Sequence, residues 1–261
     1  MMESLVQPDM PHGFINATGL PAQILAGQTT RQAFNPLLQS AAPFDSFNLA
    51  LHVGDDAGTV QQQRIELLKA LQPYGAKRLV WLEQTHSTRV HEVTEQAMPF
   101  LPINADAFVT RQTGVACMIM TADCLPIVLS NADGTEVGCI HAGWRGLLGG
   151  IIENTVNAMQ SPAVFAWFGA AIGPCSFEVG QEVFDAFTQH HPDAASAFTK
   201  HKTGKYLADI YQLASQRLHR LGIRHITGGV QCSYQDSTTF YSYRHTARTG
   251  RMATFVMIQN A

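Results

Sequence analysis

Amphipathic periodicity predicts several helices along the chain. The first follows the turn-like stretch 54–59, whose Asp and Thr side chains can cap it, and it ends at Pro73 and Gly75. Its expected inward face repeats at helical spacing and comprises Val60, Arg64, Ile65, Leu68 and Leu71. Further helices are predicted over Leu147–Met159, Gln181–His190 and Tyr206–Leu221, the last followed by Gly222 as a C-cap glycine.

Continuous apolar runs predict buried strands. The region richest in apolar residues, Gly114–Ser130, is predicted to form two such strands separated by a break at Thr121–Pro126. The sequence NADG at Asn131–Gly134 predicts a hairpin turn into a returning strand, Glu136–Ile140. Other strand candidates are Arg78–Leu82, Val164–Ala171, His225–Tyr234, Phe240–Tyr243 and Met252–Ile258.

The order of these elements favours an α+β fold. Helices and strands are mixed without strict alternation, which is typical of a sizeable mixed or antiparallel sheet. No linker interrupts the pattern, so residues 1–261 are expected to form a single domain. Within it, residues 1–45 are rich in Gly, Pro, Gln and Ala and are expected to be a variable N-terminal segment.

Composition narrows the class of protein. Hydrophobic residues make up 46% of the chain, enough for a large core, and charged residues only 14%, which argues against disorder. The net charge of -3 leaves no basic excess for a phosphate backbone, so no nucleic-acid partner is expected.

The N-terminal segment, the short apolar runs and the cysteine spacing predict a cytoplasmic protein with no membrane partner. Met1–Phe14 lacks the basic flank and apolar run of a signal peptide, and the longest apolar stretches are too short to span a bilayer. Five cysteines without close spacing indicate a reducing compartment rather than a disulfide framework. The protein is expected to be a monomer or a small homo-oligomer.

Three strand-like runs end near a candidate metal ligand, namely His86, Cys124 and His141. Two imidazoles and one thiolate form a three-ligand set that leaves a fourth zinc position open for water or substrate. Asp106 and Asp123 are candidate partners of these ligands or proton-transfer groups. The spacing alone does not identify a metal site, and each residue could equally be structural.

Cysteine chemistry is a second possibility. Cys175 lies in a Gly-Pro loop, a more reactive setting, and either Cys175 or Cys124 could act as a nucleophile with a histidine. Cys117 and Cys139 lie inside apolar runs and are expected in the core, whereas Cys232 at the end of a strand candidate is ambiguous.

Arginines in loop-like contexts indicate an anion site. Arg145 is the most suggestive, because in HAGWRG (141–146) it precedes a helix whose free N–H groups would also attract phosphate or carboxylate. Four further arginines share such contexts: Arg31, Arg244, Arg248 and Arg251. Each could instead be exposed or ion-paired, and the aromatic residues that could stack on a base, Trp144, Phe240, Tyr241 and Tyr243, could simply be packed.

Seven motifs occur in an order that resembles the YfiH-like, laccase-domain family. They are NLALHVGDD (48–56), QTHSTRV (84–90), ADAFVT (105–110), TADCLPIVL (121–129), HAGWRG (141–146), IGPCSFEVG (172–180) and FYSYRHTARTGRMA (240–253). The resemblance runs from about Asn48 to the C-terminus. Members are described as purine nucleoside phosphorylases with accompanying adenosine deaminase activity, and earlier as multicopper polyphenol oxidases.

The resemblance implies a layered α/β/β/α fold, distantly similar to the catalytic domain of cytotoxic necrotizing factor toxins. It implies a zinc site, with copper as the alternative metal, on His86, Cys124 and His141. The implied activity converts adenosine, inosine, guanosine or methylthioadenosine and phosphate to the free base and ribose 1-phosphate. Catalytic roles are then expected for Cys124, Asp123 and Arg145, and substrate or phosphate contacts for Arg31, Asn48, Arg145, Cys175 and Arg244.

Two positions depart from the family pattern. The Gly-Gly-Val-Ser expected after Thr30-Arg31 is replaced by Gln-Ala-Phe-Asn (32–35), which weakens Arg31 as a substrate contact. Arg244 is followed by His245 rather than by a second arginine, so one cationic contact is in doubt.

Three other functions stay open. A copper oxidase of the laccase type needs several coppers and paired histidines, and the chain has no His-x-His pair. A cysteine hydrolase could act on an amide in a cell-wall precursor, since some bacterial relatives are linked to peptidoglycan quality control. The chain could also be a non-catalytic metal-binding module.

Overall fold

A computed structural model describes residues 10, 13–32, 35–95 and 103–259. The strands are β1 (Phe14–Asn16), β2 (Ile24–Thr29), β3 (Arg78–Trp81), β4 (Val90–Val93), β5 (Ala107–Thr110), β6 (Val115–Thr121), β7 (Leu125–Asn131), β8 (Val137–Ala142), β9 (Ala163–Phe168), β10 (Glu178–Gly180), β11 (Phe198–Lys202), β12 (Lys205–Ala208), β13 (His225–Gly228) and β14 (Met252–Ile258). The α-helices are α1 (Ala57–Leu71), α2 (Trp144–Gly149), α3 (Ile151–Ala158), α4 (Gln181–His190) and α5 (Ile210–Arg220). Short 3₁₀ turns follow α1 and α4 at Gln72–Tyr74 and Pro192–Ala197.

The strands form three sheets. One has the order β1-β2-β14-β6-β3, the second β13-β9-β7-β8-β5-β4, and a small antiparallel sheet has the order β10-β12-β11. In the two large sheets most neighbours are antiparallel, but β3–β6, β4–β5 and β9–β13 pair in parallel. The prediction of an α+β fold with mixed sheets is therefore confirmed.

The two large sheets pack face to face. Cys117 and Ile119 of β6 point into a core shared with Val128, Cys139 and Trp167 of the other sheet. Because side chains alternate along a strand, the neighbouring residues of β6 lie on the opposite face, where Ala116 and Met118 pack with Leu67 and Leu71 of α1.

The outer face of the second sheet is also covered by helices. Ile127 and Ile140 pack there with Leu147 of α2, Ile151 of α3 and Leu213 of α5. The layers are thus helix, sheet, sheet and helix, as the resemblance implied. The distant similarity to the toxin domain stays a prediction.

Several predicted elements have the expected bounds. Helix α1 begins after Asp56, whose carboxylate accepts the Thr59 N–H at 2.7 Å, and α4 and β14 match their predictions. One face prediction for α1 is wrong, since Ile65 is 53% exposed. At about 3.6 residues per turn, Ile65 lies on the side of the helix away from Val60, Leu67 and Leu71, which are buried.

The helix predicted over Tyr206–Leu221 is wrong in its first turn. Lys205–Ala208 is strand β12, which pairs with both β10 and β11. The helix starts only after Asp209, which accepts the Gln212 N–H at 3.0 Å. Sheet pairing, which the helical spacing does not reveal, decides the conformation of these residues.

Three other predicted elements differ more widely from the structure. The predicted helix Leu147–Met159 begins at Trp144 and is broken at Gly150, whose φ of 96° lies in the left-handed region. The strand predicted over His225–Tyr234 ends at Gly228, where two consecutive glycines have positive φ. Phe240–Tyr243 is not a strand, and its apolar character reflects burial of Phe240 and Tyr241 in a loop.

Within the described ranges no helix is both long and apolar enough to cross a membrane. Ala33 and Phe34, where the sequence departs from the family pattern, lie outside the described residues.

Candidate metal centre

Three strand ends bring the predicted ligands together. His86 follows β3, Cys124 lies in the break between β6 and β7, and His141 lies near the end of β8. The ligand atoms of these three side chains all lie within 4.8 Å of one another. The Cys124 Sγ is 3.7 Å from the His86 Nε2, and the two imidazole rings meet edge to face with centroids 4.8 Å apart.

The backbone at two of these positions is held in an uncommon conformation. His86 has φ of 59° and Asp123 has φ of 85°, a region that residues other than glycine rarely occupy. Gln84 fixes the approach to His86, because its side chain accepts the Met120 N–H at 2.7 Å and donates to the Met120 carbonyl at 2.8 Å. Such positions persist where surrounding contacts enforce them, and they concentrate at functional sites.

Asp106 lies behind the cluster and is fully buried. Its Oδ1 receives the His86 N–H at 3.0 Å and lies 2.8 Å from the His141 Nδ1. Its Oδ2 receives both the N–H and the hydroxyl of Ser87 at 2.6 Å. With Nδ1 of His141 occupied in this way, its Nε2 is left as the ligand atom, which is the usual carboxylate–histidine arrangement at zinc sites.

The pKa values follow from these contacts. Burial alone would raise the pKa of Asp106, but the hydrogen bonds from His141 and Ser87 outweigh it and lower the pKa to about 2. Burial would likewise raise the pKa of Cys124, yet the imidazoles of His141 and His86 lower it to about 6. The pKa of His141 is raised by the Cys124 thiolate and by Asp106, against the effect of burial. The site therefore favours a thiolate, the form that binds metal.

Glycine is required beside the cluster. A Cβ on Gly143 would lie 2.8 Å from the His86 Cδ2 and 3.0 Å from the Cys124 Sγ. Its φ of −65° is available to any residue, so the requirement is space rather than backbone freedom. Gly143, the first glycine of HAGWRG, thus allows helix α2 to begin directly against the ligands.

The donor set fits zinc. Tetrahedral zinc with Zn–N near 2.0–2.1 Å and Zn–S near 2.3 Å separates a sulfur from a nitrogen ligand by about 3.6 Å, close to the 3.7 Å between Cys124 and His86. Thiolate and imidazole also accept copper, so the donors alone do not choose between the two metals. Among the residues that the structure describes, this is the one group of three or more such donors found.

Both carboxylate oxygens of Asp123 accept hydrogen bonds from other residues of the protein. Its Oδ1 accepts the Ser233 hydroxyl at 2.6 Å, and its Oδ2 accepts the Arg244 N–H at 2.6 Å. The carboxylate next to Cys124 therefore ties the 232–244 loop to the metal centre. Its predicted catalytic role stays a prediction.

Arg145 and Arg244 are both exposed. The Arg145 guanidinium lies 4.4 Å over the Trp144 ring in the first turn of α2, and no ion pair engages it among the described residues. Arg244 donates from Nη1 to the Glu178 carbonyl at 2.9 Å.

Two other predicted contacts already have internal partners. Arg31 donates to Asp45 and to the Ser237 carbonyl and lies over the Tyr241 ring. Asn48 is buried, donates to the Ala50 carbonyl and to Asp55, and accepts the Ala50 and Arg251 N–H groups. Asn48 would have to give up an existing bond to contact a substrate.

The cysteines divide largely as expected. Cys117 and Cys139 are buried in the core, and Cys175 is exposed in its loop. The ambiguous Cys232 is partly buried, and its sulfur accepts the Gly173 N–H at 3.1 Å. Of the aromatic residues, Tyr243 is 55% exposed, whereas Phe240 and Tyr241 are buried.

The sequence motifs assign no functional role to Arg64 or Gly143. Arg64 falls on the face that was expected to be apolar, and this mismatch was the available signal. It lies 4.0 Å over the Trp81 ring and donates to the Leu49 carbonyl at 2.9 Å.

The chain is similar to proteins named as purine nucleoside phosphorylases. It is 42% identical over 259 residues to purine nucleoside phosphorylase YfiH of Shigella flexneri, covering 98% of this chain and all of that one. It is also 42% identical over 262 residues to a purine nucleoside phosphorylase of Pseudomonas aeruginosa, covering 99% of this chain and all of that one.

Solved structures share the fold. A Neisseria meningitidis protein aligns with a TM-score of 0.87 at 40% identity, covering 95% of this chain and 100% of that one. YlmD from Geobacillus stearothermophilus aligns with a TM-score of 0.86 at 29% identity, covering 99% of this chain and 100% of that one. The family described as multi-copper polyphenol oxidoreductase laccase matches residues 26–259, and the chain therefore belongs to that family.

Proposed function

We propose that the protein is a zinc-dependent purine nucleoside phosphorylase that also deaminates adenosine. The observation that carries the proposal is the cluster of His86, Cys124 and His141 backed by buried Asp106. It is supported by the full-length similarity to relatives named as purine nucleoside phosphorylases. Adenosine, inosine, guanosine and methylthioadenosine are the proposed nucleosides.

His86, Cys124 and His141 would hold the metal. Bound through three protein ligands, zinc supplies a Lewis acid with one open coordination position. Asp106 fixes the imidazole of His141, and Gly143 leaves room for the ligands to meet.

Phosphorolysis needs phosphate held near C1′ of the ribose while the bond from C1′ to the purine nitrogen breaks. Cationic side chains beside the site would hold the phosphate and stabilise the charge that develops. Arg145 and Arg244 are the candidates that the sequence supplied. Exposed Tyr243 and partly exposed Trp144 offer ring faces on which a purine could stack. In deamination, water replaces the exocyclic amino group of adenosine and ammonia leaves, with the nucleoside in the same site.

The test uses purified protein of measured zinc content. Adenosine is incubated with and without phosphate, and the products are separated by chromatography. Adenine and ribose 1-phosphate are expected only with phosphate, and inosine in both tubes. The Cys124→Ala variant is expected to lose both activities while its circular dichroism spectrum is unchanged. Untouched adenosine with zinc-loaded protein, or full activity of the variant, would refute the proposal.

A copper polyphenol oxidase is the second candidate, favoured by the description of the family. A laccase-type reaction needs several coppers, whereas the described residues contain one three-ligand cluster. Oxygen uptake with a phenol by copper-loaded protein would favour this candidate over the phosphorylase.

The lowered pKa of Cys124 favours a third candidate, a cysteine hydrolase acting on an amide of a peptidoglycan precursor. Activity that resists a chelator but is lost on alkylation would identify it. Tight zinc binding with no turnover of nucleoside, phenol or amide would instead identify a non-catalytic metal-binding module.

A further inference from the structure

Arg64 and Arg251 are two partly buried arginines that form no ion pair among the described residues. Arg64 and Arg251 have intermediate exposure, and burial lowers the pKa of both, that of Arg64 to about 10. Within the described residues neither forms an ion pair, whereas Arg31, Arg111, Arg217 and Arg220 each pair with a carboxylate. A bound anion would stabilise a partly buried guanidinium that has no carboxylate partner.

The strand register places Arg251 at the metal centre. It immediately precedes β14, whose first residue, Met252, pairs with Thr121 at the end of β6, three positions before Cys124. The Arg251 charge acts electrostatically on both Cys124 and Asp123. Both Asp123 oxygens already accept hydrogen bonds, so this carboxylate is not a dedicated partner of Arg251.

The Arg251 side chain is held in place but keeps free donors. Its Nη1 donates to the carbonyls of Thr249 at 2.8 Å and Gly250 at 2.9 Å, and its guanidinium lies 5.9 Å from the Tyr243 ring centre. No protein acceptor in the described ranges engages Nε or Nη2. Those two groups form one edge of the guanidinium, the edge that binds two oxygens of a phosphate side by side.

The backbone around Arg251 is fixed by the NLALH segment. The Arg251 N–H donates to the Asn48 Oδ1 at 3.0 Å, and the Leu49 N–H donates to the Arg251 carbonyl at 3.3 Å. The Leu49 carbonyl in turn accepts Nε of Arg64 at 2.9 Å, and Nη2 of Arg64 reaches the Met120 sulfur at 3.7 Å. Asn48 is thus a positioning residue for Arg251, and one segment links the two cations.

We propose that Arg251, with Arg64 behind it, forms the binding site for inorganic phosphate beside the metal centre. The inference rests on the proposed function, because phosphorolysis requires phosphate next to the nucleoside. It assigns the phosphate contact to Arg251 rather than to exposed Arg145 or Arg244. Burial and then the charges of Arg251 and Arg64 lower the pKa of His52, so this side chain lies near both guanidinium groups.

The kinetic test uses zinc-loaded protein at saturating adenosine. Arg251→Gln is expected to raise the KM for phosphate about 10- to 100-fold, because phosphate loses a pair of charge-assisted hydrogen bonds. The KM for adenosine and the zinc content should change less than about threefold. Arg251→Lys keeps the positive charge but cannot form the bidentate contact, so an intermediate increase in the KM for phosphate is expected. If Arg251→Gln does not fold, Arg251→Lys is used for the test.

The matched control is Arg248→Gln. Arg248 is exposed, and its one hydrogen bond among the described residues is a long 3.5 Å bond to the Gly54 carbonyl. Its substitution should leave the KM for phosphate unchanged. The inference is overturned if both Arg251 variants keep the KM for phosphate within about twofold of the wild type. It is also overturned if Arg145→Gln or Arg244→Gln produces the increase instead.

A binding measurement separates this inference from the proposed function. Inorganic phosphate, compared with chloride at equal ionic strength, is expected to raise the thermal midpoint of the wild-type zinc protein but not that of Arg251→Gln. This result would support the phosphate site even if adenosine were never cleaved. No shift in the wild type, or a shift with adenosine 5′-monophosphate but none with inorganic phosphate, would overturn it.

Discussion

The Oδ1 of Asp106 lies 2.8 Å from the Nδ1 of His141, and the same oxygen accepts the backbone N–H of His86. One buried carboxylate therefore orients the ring of one metal ligand and the backbone of another. The two histidines are 55 residues apart in the chain, and Asp106 is the group that joins them.

Asp106→Asn is expected to weaken zinc binding about 10- to 100-fold, because the amide holds the imidazole of His141 less firmly and makes it less basic. Zinc affinity is measured by competition with a chromophoric chelator. Asp56→Asn is the matched control, since Asn is an equally good helix N-cap and Asp56 is exposed and outside the cluster. Equal affinities for all three proteins would contradict the orienting role.

The stability of the zinc-free protein should depend on Asp106 at acid pH. Its pKa is lowered from 3.8 to about 2 in the folded state. A carboxylate with a lowered pKa contributes stability that is present above 3.8 and lost as the pH falls towards 2. The ionised Asp106 carboxylate contributes about 1–2 kcal/mol to the free energy of unfolding. Urea titrations between pH 2 and pH 5 should show a steeper loss for wild type than for Asp106→Asn, and parallel losses would argue against this contribution.

Alkylation of Cys124 in the zinc-free protein should follow a pKa of about 6. The rate with iodoacetamide should be near its plateau at pH 7 and fall as the pH drops through 6, because only the thiolate reacts. Peptide mass mapping assigns the modified residue, and zinc should protect Cys124 without protecting exposed Cys175. A rate at Cys124 that still climbs between pH 7 and pH 9 would show that the imidazoles do not stabilise the thiolate.

Gly143→Ala is expected to impair the metal centre. The added methyl group would meet the His86 Cδ2 at 2.8 Å and the Cys124 Sγ at 3.0 Å, so one ligand must move. Zinc affinity should fall, while the helix substitution Gly58→Ala in α1 should leave it unchanged. Wild-type affinity in Gly143→Ala would mean that the ligands have more room than these distances indicate.

Replacing the thiolate should remove the metal outright. Cys124→Ala leaves two imidazoles, so zinc measured by atomic absorption after dialysis should drop from one equivalent to near zero. Cys175→Ala is the matched control, because Cys175 is exposed in a loop, and it should retain the metal. Retention of one equivalent by Cys124→Ala would place the zinc elsewhere.

Elements whose conformation depends on nearby residues could be predicted from the sequence. The cap at Asp56, the apolar run of β14 and the amphipathic helix α4 lie where local spacing predicts them. The three ligands could also be named from the sequence, since imidazole and thiolate at strand ends, in motifs that resemble one family, are chemically distinctive.

Which distant residues meet depends on how the strands pair and the sheets pack. Tyr206–Ala208 fall within the predicted helix but belong to strand β12, because two neighbouring strands pair with this backbone. The carboxylate of Asp106 reaches the ligands, whereas that of Asp123, adjacent to Cys124 in sequence, is bound to Ser233 and Arg244. Arg251 likewise lies beside Cys124 only because β14 pairs with β6. Hydrogen bonds and charges act through space over a few ångströms. Asp106, Asp123 and Arg251 are 20 to 127 residues from these partners in the chain, and such chain distances carry no information about separation in space.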